Sequence, residues 1–285
     1  MIDGVEIVNC PVCGASPIKI WMEDGKLTHY VKCGECGTIY ASPRAPYSVR
    51  SAWLDSTFGL GENAFQNADS RREALAQEAN LLKYHVNGGR FLDVGCDLGH
   101  LFQWFPDPSW ERYGVEISPS AAEFAAKTYS AKVHIGTIKN NAYPEAFFDL
   151  VTMLDMLYYV DDPQSDFHEI HRILKPGGKL AIEIPGQGYQ LLRSRGIVCW
   201  LLEHRWTRFS SDSSYINWIS PSGLRRLLKT CGYEIRWKYI INSPTSSLAW
   251  RNFFSKVHNR VSKLLIKWSF QSLTWAPKYM VIAQK

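Results

Sequence analysis

Four cysteines near the start of the chain have the spacing of a metal site. They form two Cys-x2-Cys pairs, Cys10 with Cys13 and Cys33 with Cys36, with nineteen residues between the pairs. Two tight turns of this kind can bring four thiolates to the corners of a tetrahedron, the geometry of structural Zn²⁺. The alternative is four unrelated thiols in a reducing compartment. We predict a closed, structural zinc site without an open position for substrate.

A second candidate site is FLDVGCDLGHL at residues 91–101, which has the pattern of a buried strand, a glycine turn and a helix. In a dinucleotide turn starting at Gly95, Asp97 and His100 would replace the second and third glycines. A carboxylate at the second position would oppose a pyrophosphate, which argues against NAD or FAD. No Gly-Lys-Ser/Thr follows, so the stretch is not a P-loop either. The turn suits a ligand that is not a polyphosphate.

Strands and helices must alternate from residue 90 onward to position this turn. Periodicity predicts strands at 90–95, 111–117, 131–135, 148–154, 178–184, 233–240 and 278–284. It predicts helices at 98–105, 119–129, 164–174 and 221–231. Such alternation indicates an α/β fold, a doubly wound and mostly parallel Rossmann-like sheet of seven strands.

The chain divides into three predicted parts. Residues 1–45 form the zinc ribbon, with a hairpin expected around Asp24-Gly25. Residues 46–89 form a linker and a helical segment over 62–86, with Leu75, Ala79, Leu82 and Val86 on one face. Residues 90–285 form the main domain, with inserts at 186–219 and 241–277 that would cap the site.

The residues after the first strand resemble a known family. Asp93, Gly95 and Gly99 form D-x-G-x-x-x-G, which resembles motif I of the class I S-adenosylmethionine-dependent methyltransferases. Further segments look like later motifs of that family in the right order, and the resemblance covers roughly residues 70–285. These segments are GVEIS at 114–118, FFDLVTMLDMLYYVDDP at 147–163, EIHRILKPGGKLAIEIP at 169–185 and SPSGLRRLLKTCGYEI at 220–235.

The resemblance implies S-adenosylmethionine as cofactor and assigns residues to it. The turn with Asp93, Gly95, Cys96, Asp97 and Gly99 would hold the methionine part, and Asp97 is tolerable beside a cationic ligand whose ammonium it could bind. Glu116, 21 residues after Gly95, suits the ribose hydroxyls. Around the adenine, Ile117 would flank the ring, and Thr137 and Ile138 fall where relatives often place an acid. Asp155 would face the cofactor from the end of the fourth strand.

Candidate catalytic residues lie in the loop after the fourth strand and in the first insert. Many relatives carry Glu-His where this chain has Tyr158 and Tyr159, and a tyrosine with a pKa near 10 is a poor base at neutral pH. These tyrosines could line the acceptor pocket or take part in proton transfer. His204 in the 186–219 insert is the other candidate base.

Composition limits the compartment and the partners. The 285-residue chain has a net charge of +5 and no long uncharged apolar run or secretory leader pattern, so we expect a cytoplasmic protein. No Asp or Glu follows Glu234, and residues 247–268 have the pattern of a basic amphipathic helix. This helix could pack as a cap, touch anionic lipid or a lipid-linked acceptor, or contact nucleic acid, the least favoured partner.

The sequence thus predicts a methyltransferase that acts at an oxygen of a carbohydrate or another small molecule. Two alternatives remain open: an RNA methyltransferase that grips its substrate with the ribbon, and a cofactor-binding protein without catalysis.

Overall fold

A seven-stranded sheet forms the centre of the protein, as seen in a computed structural model. The model describes residues 5–17, 20–24, 28–50, 64–189, 215–241, 257, 260, 261, 264 and 275–285. The strands of this sheet are β4 (Gly89–Val94), β5 (Trp110–Glu116), β6 (Lys132–Ile135), β7 (Phe148–Leu154), β8 (Leu174–Ile184), β10 (Glu234–Ile241) and β11 (Lys278–Gln284). All seven predicted strands are confirmed, and the fold is the expected α/β one.

The strand order is β10-β11-β8-β7-β4-β5-β6. Strands β4 to β8 pair in parallel, whereas β11 is antiparallel to both β8 and β10. Strands β10 and β11 are consecutive antiparallel neighbours, so their connection does not need the crossover helix that a parallel pair requires. The carboxyl ends of β4, β5 and β7 therefore meet at one edge, where open α/β sheets bind ligands.

The helices that the structure describes from end to end are α1 (Ala64–His85), α2 (Pro119–Tyr129), α3 (Pro163–Ile173) and α4 (Pro221–Thr230). On α1 the predicted apolar face is confirmed, because Leu75, Ala79 and Leu82 are buried. The helix predicted over 98–105 is wrong. That segment has turns followed by a single 3-10 turn, Phe102–Trp104. Gly99 in the left-handed region and Pro106, which disfavours helix in the preceding residue, leave too little room for an α-helix.

A second, four-stranded sheet contains strands from both ends of the sequence. Its order is β1 (Ile20–Asp24), β2 (Thr28–Lys32), β3 (Ile39–Ala41) and β9 (Asn217–Trp218). The predicted hairpin of β1 and β2 is present, and β9 pairs with β3 in antiparallel register, Ile39 opposite Trp218. The N-terminal module thus shares a sheet with a strand from the 186–219 insert. Among the described residues, no helix is both long and apolar enough to span a bilayer.

Candidate functional site

A cavity of about 360 Å³ opens at the carboxyl edge of the large sheet. That volume is in the range of roughly 300–1,000 Å³ found for small-molecule sites. Eight of the residues singled out from the sequence line it: Gly95, Asp97, Glu116, Ile117, Thr137, Ile138, Asp155 and Tyr159. Residues from separate parts of the sequence therefore come together at the place where the strand order predicts a ligand.

The glycine turn after β4 is shaped by backbone conformations that side chains disfavour. Gly95 has φ 74°, and a Cβ there would lie 3.2 Å from the Met156 side chain. Gly99 has φ 73°, and a Cβ there would lie 2.8 Å from Ala125 on α2. Gly95 keeps the cavity wall open, whereas Gly99 lets the turn pack against α2. Gly99 does not line the cavity itself.

Asp97 and Glu116 form the next part of the wall. The Asp97 amide donates to Glu116 Oε2 at 2.9 Å, and the Ser118 amide donates to Oε1 at 2.9 Å. Two backbone donors fix the Glu116 carboxylate, and each oxygen retains a lone pair for a ligand hydroxyl. Burial raises the pKa of both carboxyl groups. Asp97 lines the cavity, and its pairing with a cationic group stays a prediction.

Asp93 and Cys96 support the turn from below the cavity. Asp93 is buried and accepts a hydrogen bond from the Thr152 hydroxyl at 2.5 Å. Its burial raises the pKa to about 7. Cys96 is buried beside Gly114, where a Cβ would meet the Cys96 sulfur at 2.7 Å. Neither residue is part of the described cavity lining, although the sequence had placed both at the cofactor.

The opposite end of the cavity is formed by the segment after β6. Ile117, Thr137 and Ile138 line the cavity here, and their assignment to the adenine stays a prediction. The Thr137 hydroxyl donates to Asn140 Oδ1 at 2.5 Å and caps the short helical turn that follows. Asp162 and Asp166 also line this end, and Lys139 pairs with Asp166 at 3.3 Å. Acidic groups are therefore present near this end, although Thr137 itself is not one.

A buried network of charges lies behind Asp155. Lys278 on β11 pairs with Asp155 and lies 3.0 Å from Glu183 Oε1 on β8. Arg71 on α1 lies 3.3 Å from Asp155 Oδ2 and 3.7 Å from Glu183 Oε2. Burial acts to raise the pKa of Asp155, but Lys278 and Arg71 outweigh it and lower the pKa. Asp155 is thus an ionised anchor and a weak base.

Arg71 was not expected from the sequence, yet it lines the cavity with Gly95, Asp97 and Asp155. It supplies a positive charge where the methionine end of the predicted cofactor would lie. A sequence signal for it existed. Arg71, Leu75, Glu78 and Leu82 follow one another at steps of 4, 3 and 4, so two charged residues occupy the apolar stripe of α1. A charge on a buried stripe indicates a partner inside the protein.

The tyrosines after β7 have different positions. Tyr159 lines the cavity, whereas Tyr158 lies behind it and packs against Tyr159 and Tyr215. Burial raises the pKa of Tyr158 well above its usual value, and the Asp155 carboxylate adds to this. That direction opposes a role as proton acceptor. His204 lies outside the described residues, so its role as a base stays a prediction.

Comparison with known proteins agrees with this geometry. The methyltransferase domain family matches residues 67–237, more than half of the chain. The chain belongs to this family. A ubiquinone biosynthesis O-methyltransferase from Alkalilimnicola ehrlichii is 27% identical over 177 residues, 56% of this chain and 71% of that protein. An uncharacterized methyltransferase from Schizosaccharomyces pombe is 31% identical over 202 residues, 66% of this chain and 70% of that protein.

Solved structures share the fold, whereas the activity rests on the family and the named relatives. An S-adenosylmethionine-dependent methyltransferase from Thermotoga maritima aligns with a TM-score of 0.54 at 19% identity, over 84% of this chain and 100% of that one. One from Archaeoglobus fulgidus gives 0.52 at 17% identity, over 75% and 94%. The protein is an S-adenosylmethionine-dependent methyltransferase.

The described residues fit this cofactor. The cavity offers an open glycine wall at Gly95, a carboxylate held for hydroxyl groups at Glu116, and opposite charges at Asp97 and Arg71. The cofactor has a ribose and an amino acid end that carries both an ammonium and a carboxylate. When bound it supplies an electrophilic methyl group; the protein's part is to hold it and to orient the acceptor.

The four cysteines of the methyltransferase form a candidate metal centre. Their sulfur atoms all lie within 4.8 Å of one another, with Cys10 and Cys36 at 3.6 Å and Cys13 and Cys33 at 3.5 Å. Four thiolates about 2.3 Å from a central Zn²⁺ lie roughly 3.8 Å apart, so the cluster has the right size. Amides of Gly14 and Gly37 close the two turns by donating to the carbonyls of Cys10 and Cys33.

The cysteine cluster is bound to the catalytic domain by several hydrogen bonds. Ser220, which caps α4, donates to the Cys36 carbonyl at 2.5 Å, and Ser222 donates to the same oxygen at 2.9 Å. The Gln164 amide on α3 donates to the Val12 carbonyl at 2.8 Å. Sequence reasoning treated the ribbon as a separate module, because these partners lie far along the chain.

Residues in and beside the four-stranded sheet also hold the loop at 158–161, which borders the cavity. The Ile216 amide donates to the Tyr158 carbonyl at 3.0 Å, and the Asn217 side chain donates to the Val160 carbonyl at 2.5 Å. Arg44, just after β3, pairs with Asp161 at 2.8 Å. Tyr159 and Asp161 line the cavity, so the wall at this point is supported by the four-stranded sheet.

Proposed function

We propose that the methyltransferase transfers its methyl group to a hydroxyl oxygen of a small, uncharged acceptor such as a carbohydrate. The observation that carries this proposal is the charge of the cavity. Two basic side chains line the cavity, Arg71 and Lys139. Six acidic side chains line it as well: Asp97, Glu116, Asp155, Asp161, Asp162 and Asp166. Such a lining disfavours polyanions and suits groups that donate hydrogen bonds, as sugar hydroxyls do.

The same charge argues against RNA as the acceptor. A phosphate backbone needs basic side chains along its path, and the described cavity lining is acidic. The ribbon also has its cysteine cluster turned toward α3 and α4. This packing supports a structural role for the module rather than a substrate grip. The O-methyltransferase named among the relatives is consistent with an oxygen acceptor.

Arg71 is proposed to bind the carboxylate of the cofactor. It lies at the cavity end formed by Gly95 and Asp97 and carries a permanent charge. Its neighbours Asp155 and Glu183 fix the guanidinium, so little side-chain entropy is lost when a ligand binds. Asp97 would bind the ammonium of the same end.

The cysteine cluster is proposed to hold a structural Zn²⁺. Metal analysis of protein purified without chelators should give about one zinc per chain, the number that one closed tetrahedral site holds. Cys36→Ala should lose this zinc, whereas Cys231→Ala, which removes a buried thiol outside the cluster, should keep it. A wild-type protein that is folded and free of zinc would refute the site.

Methyl transfer from labelled S-adenosylmethionine should be measured on neutral glycosides, sugar nucleotides, phenols and total RNA. We expect turnover on a neutral hydroxyl compound and none on RNA. Comparison of small metabolites in cells with and without the protein would identify the natural acceptor by a mass increase of one methyl group. Transfer to RNA alone would overturn the proposal.

A further inference from the structure

The insert between β10 and β11 exposes an apolar face that the catalytic site does not use. Four of its residues are described, 257, 260, 261 and 264, and all four are helical. Val257, Val261 and Leu264 are 43%, 49% and 63% exposed. Their spacing of four and three residues places them on one side of a helix. Water therefore reaches an apolar stripe that a packed cap helix would have buried.

The sequence around these residues continues the pattern. At about 100° per residue, eight apolar side chains from 250 to 268 fall within roughly 120° of the helix circumference. They are Trp250, Phe253, Phe254, Val257, Val261, Leu264, Leu265 and Trp268. The spacing predicts tryptophans at both ends of this face, where their amphipathic rings favour a membrane–water interface.

Basic residues border the same face. Counted from Val257 at about 100° per residue, Lys256, Arg260, Lys263 and Lys267 fall within roughly 60° of one another on a single flank. Arg251 lies on the other flank, and the chain has no Asp or Glu after Glu234. An apolar face with basic flanks is typical of helices that lie in the surface of an anionic bilayer. Five charges within the helix exclude a spanning orientation.

The two ends of the insert lie beside the catalytic cavity. Ile241 at the end of β10 pairs with Lys278 at the start of β11, and both lie at the carboxyl edge of the parallel strands. Lys278 in turn contacts Asp155, which lines the cavity. The insert is therefore anchored at the same edge of the sheet as the cavity.

We propose that residues 250–268 bind the surface of membranes rich in anionic lipid. The apolar face enters the interface, the basic flank pairs with lipid headgroups, and the cavity is held close to the bilayer. The proposal rests on the helix and does not require any particular acceptor. It extends the proposed function by making a membrane-associated hydroxyl compound the expected acceptor class.

Flotation of the full-length protein with vesicles tests the proposal. Vesicles of phosphatidylglycerol and phosphatidylcholine should carry the wild-type protein upward at low salt, and pure phosphatidylcholine vesicles should carry at least tenfold less. Leu264→Glu should reduce binding at least tenfold. The control is Ile266→Glu, which makes the same change of charge on the opposite side of the predicted helix and should leave binding within threefold.

Two results would overturn the proposal. Equal losses of vesicle binding in the two variants would show that charge alone attracts the protein to the vesicles, without insertion of the apolar face. A wild-type protein that is dimeric by sedimentation, does not float, and becomes monomeric with Leu264→Glu would assign the face to a second copy of the chain. Cofactor binding and methyl transfer to a soluble hydroxyl compound, measured without vesicles, test the proposed function separately from lipid binding.

Discussion

Asp93 shows how one buried carboxyl group can link the cofactor turn to pH. It is 5% exposed, its burial raises the pKa to about 7, and the Thr152 hydroxyl is its hydrogen-bond donor. In the unfolded chain an aspartate has a pKa near 3.9. Between these two values the folded state binds the proton more tightly, so Asp93 favours folding at low pH. That contribution disappears as the pH rises through about 7.

We therefore expect Asp93→Asn to reduce the pH dependence of stability. From pH 5 to pH 7, the unfolding free energy of the cofactor-free wild type should fall by about 2 kcal/mol more than that of the variant. Urea unfolding followed by tryptophan fluorescence at the two pH values gives this difference. Parallel pH dependences in the two proteins would show that Asp93 is ionised throughout.

Arg71→Ala should weaken S-adenosylmethionine binding by roughly 10- to 100-fold, because a hydrogen bond to a charged group contributes about 1.5–3 kcal/mol. Binding of 5′-methylthioadenosine, which lacks the amino acid end, should change little. Titration calorimetry measures both ligands. Arg72→Ala is the matched control, since Arg72 is exposed on the same helix. Equal losses for the two ligands would indicate a general disturbance of the cavity.

Residue by residue, the sequence predicted the lining of the cavity where local pattern determines geometry. Gly95, Asp97 and Glu116 could be assigned because a strand followed by a turn places them at a sheet edge whatever the rest of the chain does. Arg71 was missed because its partners Asp155 and Glu183 lie on distant strands. Only the three-dimensional strand order brings α1 over those two positions.

At the scale of elements, charged side chains contribute to the contact of α1 with β8 and β11, which is therefore not entirely apolar. Glu78 on α1 and Glu183 on β8 are fully buried near Arg71 and Lys278. Burial, followed by the Glu183 carboxylate, raises the pKa of Glu78 well above its usual value. This direction favours the neutral form of Glu78, while Arg71 and Lys278 both lie close to Asp155 and Glu183.

The arrangement of these charges predicts a small change in stability for one substitution and a large loss for another. Glu78→Gln keeps a neutral side chain of the same shape and should change the unfolding free energy by less than about 0.5 kcal/mol at pH 7. Lys278→Met leaves two buried carboxylates with one cation and should cost roughly 3–5 kcal/mol. Chemical denaturation provides both values. A large loss with Glu78→Gln would mean that Glu78 is ionised.

Because β9 pairs with β3 and contacts the loop beside the cavity, we expect loss of the metal to loosen the cavity wall. Removal of the proposed zinc should disorder β3, and the Ile216–Tyr158 and Asn217–Val160 hydrogen bonds should weaken with it. Hydrogen–deuterium exchange should then accelerate in peptides covering 156–161 and 215–219, while β4 and β5 stay protected. The comparison is Cys36→Ala against Cys231→Ala. Unchanged exchange near residue 158 in the zinc-free protein would separate the module from the site.

At the scale of the whole molecule, the two sheets act as one support for the cavity. The large sheet supplies its cofactor wall through β4, β5 and β7, and the four-stranded sheet supports the wall at Tyr159 and Asp161. The seven strands were predictable from their own apolar periodicity, most clearly β4, β7, β8 and β11, which are largely buried runs. The connection between the sheets was not, since β9 has two residues and no sequence signal of its own.

The pairing of β3 with β9 also has a consequence for synthesis on the ribosome. Tyr30 donates to the carbonyl of Tyr215, a residue 185 positions later in the sequence. The N-terminal module therefore emerges long before its last strand does, and until then β3 is an unprotected edge beside the apolar side chains of Tyr30 and Ile39. Early binding of the proposed metal would keep the nascent module compact until β9 has been synthesised. Expression in zinc-poor medium should accordingly increase aggregation during translation.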